Sequence, residues 1–132
     1  MLNVMSFKFK HLRLLHDMLE SQKYIGICDI TMKTLPKIGY ITMLNEQPVA
    51  AGFLRRVEPC FAQIDTLVSS AYFGSKIRHE GITLVVNNLL LDGRSLKLKG
   101  VLAFTSDNGI LNRAKELGFH EVNQTIIAKE LK

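Results

Sequence analysis

The chain has 132 residues, of which 47% are hydrophobic and 22% are charged, and its formal net charge is +5. This length suits one globular domain, and the composition is neither that of a disordered chain nor that of a repeat array. No apolar run approaches the roughly 18 residues of a membrane span, and cationic residues interrupt positions 8–13, so we expect neither a membrane protein nor a signal peptide. Cys28 and Cys60 lack CxxC or CxxH spacing, which predicts no zinc or other metal site and no disulfide, and is typical of a cytoplasmic protein.

The N-terminal third is led by a helix. Apolar residues recur at helical spacing within 11–22, so this stretch is predicted to be an amphipathic helix, preceded by a short strand from about 2 to 9. The segment 24–36 leaves two structures open, because its β-branched residues favour a strand while its position suits a second short helix.

Strands follow in the middle of the chain. The stretches 38–44 and 49–57 flank turn residues at 45–48 and are predicted to pair as an antiparallel hairpin. A second break at Glu58-Pro59 precedes a third strand, 60–69, that would lie antiparallel beside them.

The C-terminal half alternates between helix and strand. An apolar stripe at helical spacing predicts a helix from about Arg78 to Gly93, with Ile82, Val85, Val86, Leu89 and Leu90 on its buried side. The run 100–105 is predicted to be a strand buried on both faces and parallel to a neighbour, followed by a helix over 109–119 and a strand over 120–131. The fold class is therefore α/β or α+β, with a mixed, mostly antiparallel sheet.

The start of the 78–93 helix carries charges of the wrong sign. Lys76, Arg78 and His79 stand where unpaired N–H groups and the helix dipole favour anions. Gly81 costs about 1 kcal/mol of helix propensity relative to alanine, a loss that a close approach of an anion to the backbone would explain. The alternative is that the cations are solvated, with Ser75 as N-cap and Glu80 offsetting the charge.

Two motifs resemble those of a known superfamily. The hexapeptide 78-RHEGIT-83 is similar to the R/Q-x-x-G-x-G/A loop of the GNAT superfamily of acyl-CoA-dependent N-acyltransferases. The stretch 104-FTSDNGILNRAKELGF-119 is similar to that family's strand, Asn-containing loop and helix ending in Leu-Gly-Phe. The resemblance covers roughly residues 38–122. It implies one GNAT-like domain over 1–132, with helices on both faces of the sheet.

The resemblance also implies a co-substrate and its contacts. Acetyl-CoA would bind with its pyrophosphate at the first motif, and a backbone N–H of strand 60–69 would polarise the thioester carbonyl where that strand splays from 100–105. The residues expected to bind it are Val68, Ser69, Arg78, His79, Glu80, Gly81, Ile82, Thr83, Asp107 and Asn108.

Side-chain catalysts are less clearly marked. Ala114 occupies the position of the family's general-acid Tyr, and Ala62 and Gln63 occupy the neighbourhood of its strand-four Glu. The remaining catalytic candidates are Asp65 as a base and Tyr72 or Ser106 as an acid. For Asp65 the alternative is an ion pair with an Arg or Lys across the sheet, and for the two hydroxyls it is a structural role.

The function implied is transfer of an acetyl group from acetyl-CoA to an amine, on a small molecule or a protein. The alternative is a GNAT-fold protein that has lost catalysis and binds CoA or a macromolecule. A nucleic-acid binder is disfavoured, because Arg55, Arg56, Lys97 and Lys99 are not interleaved with aromatic residues. The apolar centre of the terminal strand, 123–131, would be an exposed edge in a monomer, which suggests a homodimer. The loops 24–36 and 69–77 are expected to shape the acceptor site.

Overall fold

The computed structural model describes residues 1–105, 108–122, 125 and 127–131. Its strands are β1 (Leu2–Ser6), β2 (Ile38–Leu44), β3 (Gln47–Glu58), β4 (Phe61–Ser69) and β5 (Gly100–Leu102). Its α-helices are α1 (Leu12–Ser21), α2 (Ser75–Ser95) and α3 (Asn108–Glu116), and single 3-10 turns lie at Phe9–His11 and Ile27–Asp29.

The five strands form one sheet in the order β1-β2-β3-β4-β5. Neighbours from β1 to β4 are antiparallel and β4 is parallel to β5, so the predicted mixed, mostly antiparallel sheet is confirmed. The predicted hairpin is also confirmed, with Leu44 opposite Gln47 and a two-residue turn between them. Asn45 and Glu46 have φ angles of 50° and 67°, as a type I′ turn requires.

Helices cover both faces of the sheet. On one face, Leu15, Met18 and Leu19 of α1 pack into a core with sheet residues that include Ile41 and Phe53. On the other face the buried side chains of α2 pack against β3 and β4. Each amphipathic helix thus removes one apolar face of the sheet from water, which is the main driving force for this arrangement.

A polar contact also fixes α2 on the sheet. The Tyr40 hydroxyl of β2 donates a hydrogen bond of 2.6 Å to Asp92 Oδ2 near the end of α2. This bond, together with burial, raises the pKa of Tyr40 to about 12. The hydroxyl therefore stays protonated and keeps donating throughout the physiological range.

The N-terminal third differs from the sequence predictions at two places. The first strand ends at Ser6 rather than near Phe9, because the chain turns there into a 3-10 turn that buries His11. The segment 24–36 contains no strand, and its one regular element is a short 3-10 helix of three residues, Ile27–Asp29. Thr34 Oγ1 donates to the carbonyls of Asp29 and Thr31. Such side-chain bonds compete with regular secondary structure.

The predictions for the two C-terminal strands also need correction. β5 covers three residues, and Leu102 and Phe104 are 37% and 58% exposed, so the expectation of a strand over 100–105 buried on both faces is wrong. No strand in the described part of the chain covers the outer edge of β5. In the predicted strand 120–131, the described residues 120–122, 125 and 127–131 are not in a strand, and the others lie outside the described residues.

The helices were also compared with the length and hydropathy of a membrane span. Within the described ranges, no helix has the length and apolar character needed to cross a bilayer.

His11 makes the stability of the fold depend on pH. Its ring is 5% exposed and packs against Phe7, and its Nδ1 accepts a hydrogen bond of 3.0 Å from the Lys8 N–H. Burial, with the charges of Lys10 and Lys8, lowers the pKa of His11 below 6.5. As pH falls below about 6.5 the unfolded chain takes up this proton first, so the free energy of unfolding falls until the folded-state pKa is passed.

We therefore expect the urea midpoint to fall as the pH is lowered from 7 to 5, and His11→Gln to remove part of that dependence. The measurement is urea unfolding of both proteins across this range. Parallel pH dependences in the two proteins would contradict the assignment to His11.

Candidate active site

The strands β4 and β5 separate partway along β4. They pair at three positions, Phe61 with Gly100, Ala62 with Val101 and Gln63 with Leu102. β4 then continues to Ser69, while β5 ends at Leu102. Beyond Gln63, the edge of β4 over residues 64–69 has no strand partner on the β5 side among the described residues. We call the region of this edge and of residues 103–105 the wedge. The resemblance to the GNAT superfamily implied that these two strands separate in this part of the sheet.

A bulge reshapes β4 within the wedge. The register with β3 shifts between Ala51 and Phe53, and Thr66, which lies in the extra length of β4, has a φ angle of 51°. Positive φ is strained for a β-branched residue. Bulges of this kind bend a strand and redirect the residues beyond them. Here those residues are Val68 and Ser69.

The alternation of backbone groups along β4 decides whether the N–H of Val68 or that of Ser69 points into the wedge. The Ser70 N–H donates to the Val49 carbonyl of β3 at 2.8 Å. Because successive residues of a strand direct their backbone groups to opposite sides, the Val68 N–H faces β3, whereas the N–H and C=O of Ser69 face the wedge. Of the two backbone donors expected from the sequence, the geometry therefore favours Ser69.

Side chains from both helical layers hold the end of β4. The Gln22 Nε2 atom, just past α1, donates to the Ser69 carbonyl at 2.8 Å. From the other face, Arg78 Nε donates to Ser69 Oγ at 2.9 Å. The Ala71 N–H donates to Ser21 Oγ at 3.1 Å, which ties the next loop to α1 as well. Ser69 is 6% exposed, so its backbone is fixed from several sides.

The helix beside the wedge starts earlier than the sequence predicted. α2 begins at Ser75, and Gly74 is its N-cap, with no side-chain capping bond. The first intrahelical bond runs from the Arg78 N–H to the Gly74 carbonyl at 3.1 Å. The N–H groups of Ser75, Lys76 and Ile77 thus have no intrahelical acceptor. Residues 74–76 are exposed and the first turn holds no acidic residue, so this turn attracts anions.

The expectation that Gly81 lets a phosphate approach the backbone rests on a helix start that is wrong. His79, Glu80, Gly81, Ile82 and Thr83 lie one to two turns inside α2, where backbone N–H groups bond within the helix. Gly81 is buried, and a Cβ there would lie 2.6 Å from Val49 Cγ1 and 2.9 Å from Thr42 Oγ1. Its missing side chain allows close contact between α2 and the sheet.

Part of the motif lies on a different surface. His79, Glu80 and Thr83 line a shallow groove of about 400 Å³ beside β1, with Leu2 and Leu84. His79 Nδ1 is buried there without a hydrogen-bond partner among the described residues.

The sequence does contain a signal for which side of α2 packs on the sheet. The buried residues Gly81, Val85, Leu89 and Gly93 are spaced four apart, which places both glycines on the packed stripe of the helix.

Asp65 is engaged in an ion pair. Its Oδ2 accepts a hydrogen bond of 2.7 Å from Arg55 Nε on β3, so the cross-sheet pairing considered in the sequence analysis is confirmed. Arg55 Nη2 also donates to the Thr34 carbonyl at 2.7 Å, which anchors the 24–36 segment to the sheet. The carboxylate therefore has a structural role that competes with its use as a base.

Of the other catalytic candidates, the structure describes only Tyr72. Tyr72 is 85% exposed in the loop before α2. Ser106 and Asp107 lie outside the described residues, and Asn108 is the exposed first residue of α3. Among the described side chains, no group of three or more His, Cys, Asp or Glu residues is arranged to hold a metal ion.

Solved structures share this architecture. The chain has the fold of the GNAT acetyltransferases, as the two sequence motifs suggested. It superimposes on the Mycobacterium tuberculosis protein Rv2747, solved in complex with CoA and NLQ, with a TM-score of 0.75 and 16% identity over 96% of this chain and 76% of that one. An acetyltransferase from Streptococcus agalactiae gives 0.73 and 16% over 99% and 90%. The aminoglycoside N-acetyltransferase AAC(6')-Iy, in complex with a CoA bisubstrate analogue, gives 0.72 and 14% over 100% and 99%.

Sequence comparison gives no such matches. No protein-family model and no curated protein matches the chain. The structural likeness, at these low identities, therefore establishes the fold.

Proposed function

We propose that the protein is an acyl-CoA-dependent N-acyltransferase that transfers an acetyl group from acetyl-CoA to an amine. One observation carries the proposal: β4 parts from β5, and the Ser69 N–H faces the resulting wedge next to the open first turn of α2. Structural neighbours with the same fold include complexes with CoA.

The two parts of this site suit the two ends of CoA. The pyrophosphate would accept hydrogen bonds from the backbone N–H groups of residues 75–77, with Lys76 as a nearby cation. The pantetheine arm would lie along the unpaired backbone of β4 in the wedge and bring the thioester to Ser69. The residues present fit this group, because the first turn of α2 is exposed and holds no competing carboxylate.

The reaction follows from this placement. The amine nitrogen attacks the thioester carbonyl carbon, the C–S bond breaks, CoA leaves as the thiolate, and the nitrogen loses a proton. The Ser69 N–H donates to the carbonyl oxygen as it becomes negative, and such a donor contributes about 3 kcal/mol of barrier lowering. A thiol with a pKa near 8.5 leaves without strong acid assistance, so an alanine at position 114 is compatible with turnover.

Deprotonation of the amine has no dedicated side chain in this scheme. Asp65, the carboxylate candidate, is hydrogen-bonded to Arg55. The amine would then react from its neutral fraction, and the proton would pass to water. We accordingly expect the rate to rise with pH towards the pKa of the acceptor amine.

The ion pair of Asp65 with Arg55 favours a second candidate function. With Asp65 held by Arg55 and Ala114 in place of a tyrosine, the protein would bind CoA without catalysis. This reading shares the cofactor site and differs only in turnover.

The test is calorimetric titration with acetyl-CoA, followed by measurement of CoA release with ethanolamine, 2-phenylethylamine and a lysine-containing tripeptide at pH 7–9.5. Release is followed chromatographically, because Cys28 is exposed and would react with thiol reagents. Binding with amine-dependent release supports the transferase, and binding with no release supports the second candidate. A folded protein that shows no binding at about millimolar acetyl-CoA contradicts both, since that limit corresponds to about −4 kcal/mol.

A further inference from the structure

We propose that Gln22 binds the acceptor amine, with its Oε1 atom accepting a hydrogen bond from the attacking nitrogen. This inference rests on the proposed function. It starts from the Gln22 contact with Ser69, which joins α1 to the reacting end of β4 across 47 residues of sequence.

Chemistry fixes the orientation of this side-chain amide. The Ser69 partner is a carbonyl oxygen, which only accepts hydrogen bonds, so the Gln22 atom facing it at 2.8 Å is the NH₂ nitrogen. The amide oxygen Oε1 then lies on the other branch of the same planar group. Gln22 is exposed, so Oε1 is accessible to a ligand.

The backbone behind the side chain is also fixed. Gln22 caps α1, and its N–H donates to the carbonyls of Met18 and Leu19. The adjacent Ser21 Oγ donates to Met18 and accepts from Ala71. The Gln22 side chain is thus held by the end of α1 through its backbone and by the Ser69 carbonyl through its amide. The amide therefore lies next to the Ser69 backbone, on the α1 side of the sheet.

An amide oxygen suits a neutral amine better than a carboxylate does. A neutral primary amine has two N–H donors and one lone pair, so a bond from one N–H to Oε1 leaves the lone pair free to attack the thioester. A carboxylate in this place would favour the ammonium form and raise the pKa of the amine, which would lower the reactive fraction. Gln22 therefore orients the amine in the protonation state that reacts.

A comparison of two activities distinguishes a role of Gln22 in amine binding from a role in supporting β4. Acetyl transfer needs the amine, whereas slow hydrolysis of acetyl-CoA uses the same Ser69 donor without it. For Gln22→Leu we expect the ratio of transfer to hydrolysis, measured with the best amine of the panel, to fall by about tenfold or more, because hydrolysis loses only the support of Ser69 whereas transfer also loses the contact with the amine. Gln22→Glu should move the pH profile of transfer to higher pH, because a carboxylate stabilises the ammonium form.

Ser21→Ala is the matched structural control. It removes the neighbouring contact between α1 and the 70–74 loop but leaves the Gln22 amide in place. We expect it to lower the unfolding free energy and to leave the ratio of transfer to hydrolysis unchanged.

The outcomes are distinct. Equal loss of transfer and hydrolysis in Gln22→Leu would overturn the inference, because Gln22 would then only support β4. Unchanged transfer would overturn it as well. If wild-type protein binds acetyl-CoA but transfers acetyl to none of the amines, the transferase itself fails, and the inference fails with it.

Discussion

Lys76→Glu is expected to weaken acetyl-CoA binding by about tenfold or more without destabilising the fold. Lys76 lies in the first turn of α2, where the N–H groups of residues 75–77 precede the first intrahelical bond. A glutamate there complements the helix dipole, which stabilises a helix by about 0.3–1 kcal/mol. The same carboxylate would repel a pyrophosphate and compete for those N–H groups. Stability and affinity should therefore change in opposite directions.

The measurements are calorimetric titration with acetyl-CoA at two salt concentrations and urea unfolding. Lys99→Glu is the control, because it makes the same charge change beyond the C-terminal end of α2. It should alter affinity only through long-range electrostatics, and this effect should vanish at high salt. Equal losses of affinity in the two variants would argue against a phosphate site at the helix start.

Gly81→Ala is expected to lower the free energy of unfolding by up to about 2 kcal/mol, although alanine is the better helix former. A Cβ at this position would lie 2.6 Å from Val49 Cγ1 and 2.9 Å from Thr42 Oγ1. Both neighbours are fully buried and belong to paired strands, so neither moves away cheaply. Overpacking of this kind costs about 1–3 kcal/mol, against a helix-propensity gain of about 1 kcal/mol.

Gly93→Ala provides the matched comparison on the same helix. There the added Cβ meets Val101 Cγ2 at 3.4 Å and Leu98 Cδ1 at 3.9 Å, which is ordinary contact. We expect this variant to gain up to about 1 kcal/mol in urea unfolding. If Gly81→Ala keeps its stability but loses acetyl-CoA affinity, the packing role is wrong and the phosphate role suggested by the sequence is restored.

The sequence predicted correctly the helices and strands whose structure is determined by their own local residue pattern. The hairpin of β2 and β3 was marked by β-branched residues and by turn residues over 45–48, of which Asn45 and Glu46 form the turn. The stretches of α1 and of the body of α2 show helical periodicity. The sheet class followed from the order of these elements. Competing local bonds, such as those of Thr34, explain why the 24–36 segment could not be assigned.

The site was harder to predict than the fold. The motif match placed the helix start near Arg78, and a fixed spacing of glycine and arginine could not distinguish a phosphate-binding turn from a packed one. The contacts of Gln22 and Arg78 with Ser69 depend on tertiary structure, and Gln22 reaches across 47 residues. The ion pair of Asp65 could be predicted as an alternative, because residues on adjacent strands meet across the sheet.

The shortness of β5 has a consequence for motion. β5 is attached to β4 at three positions, and α3, which follows it, contains no buried residue. The β1–β4 sheet, by contrast, holds both apolar cores with α1 and α2. Few buried contacts mean a small free energy of local opening, so amide protons of β5 and α3 should exchange with solvent before those of the remaining sheet. One wall of the wedge thus opens independently of the other, and a ligand bound between them would slow that exchange and make the two walls a single cooperative unit.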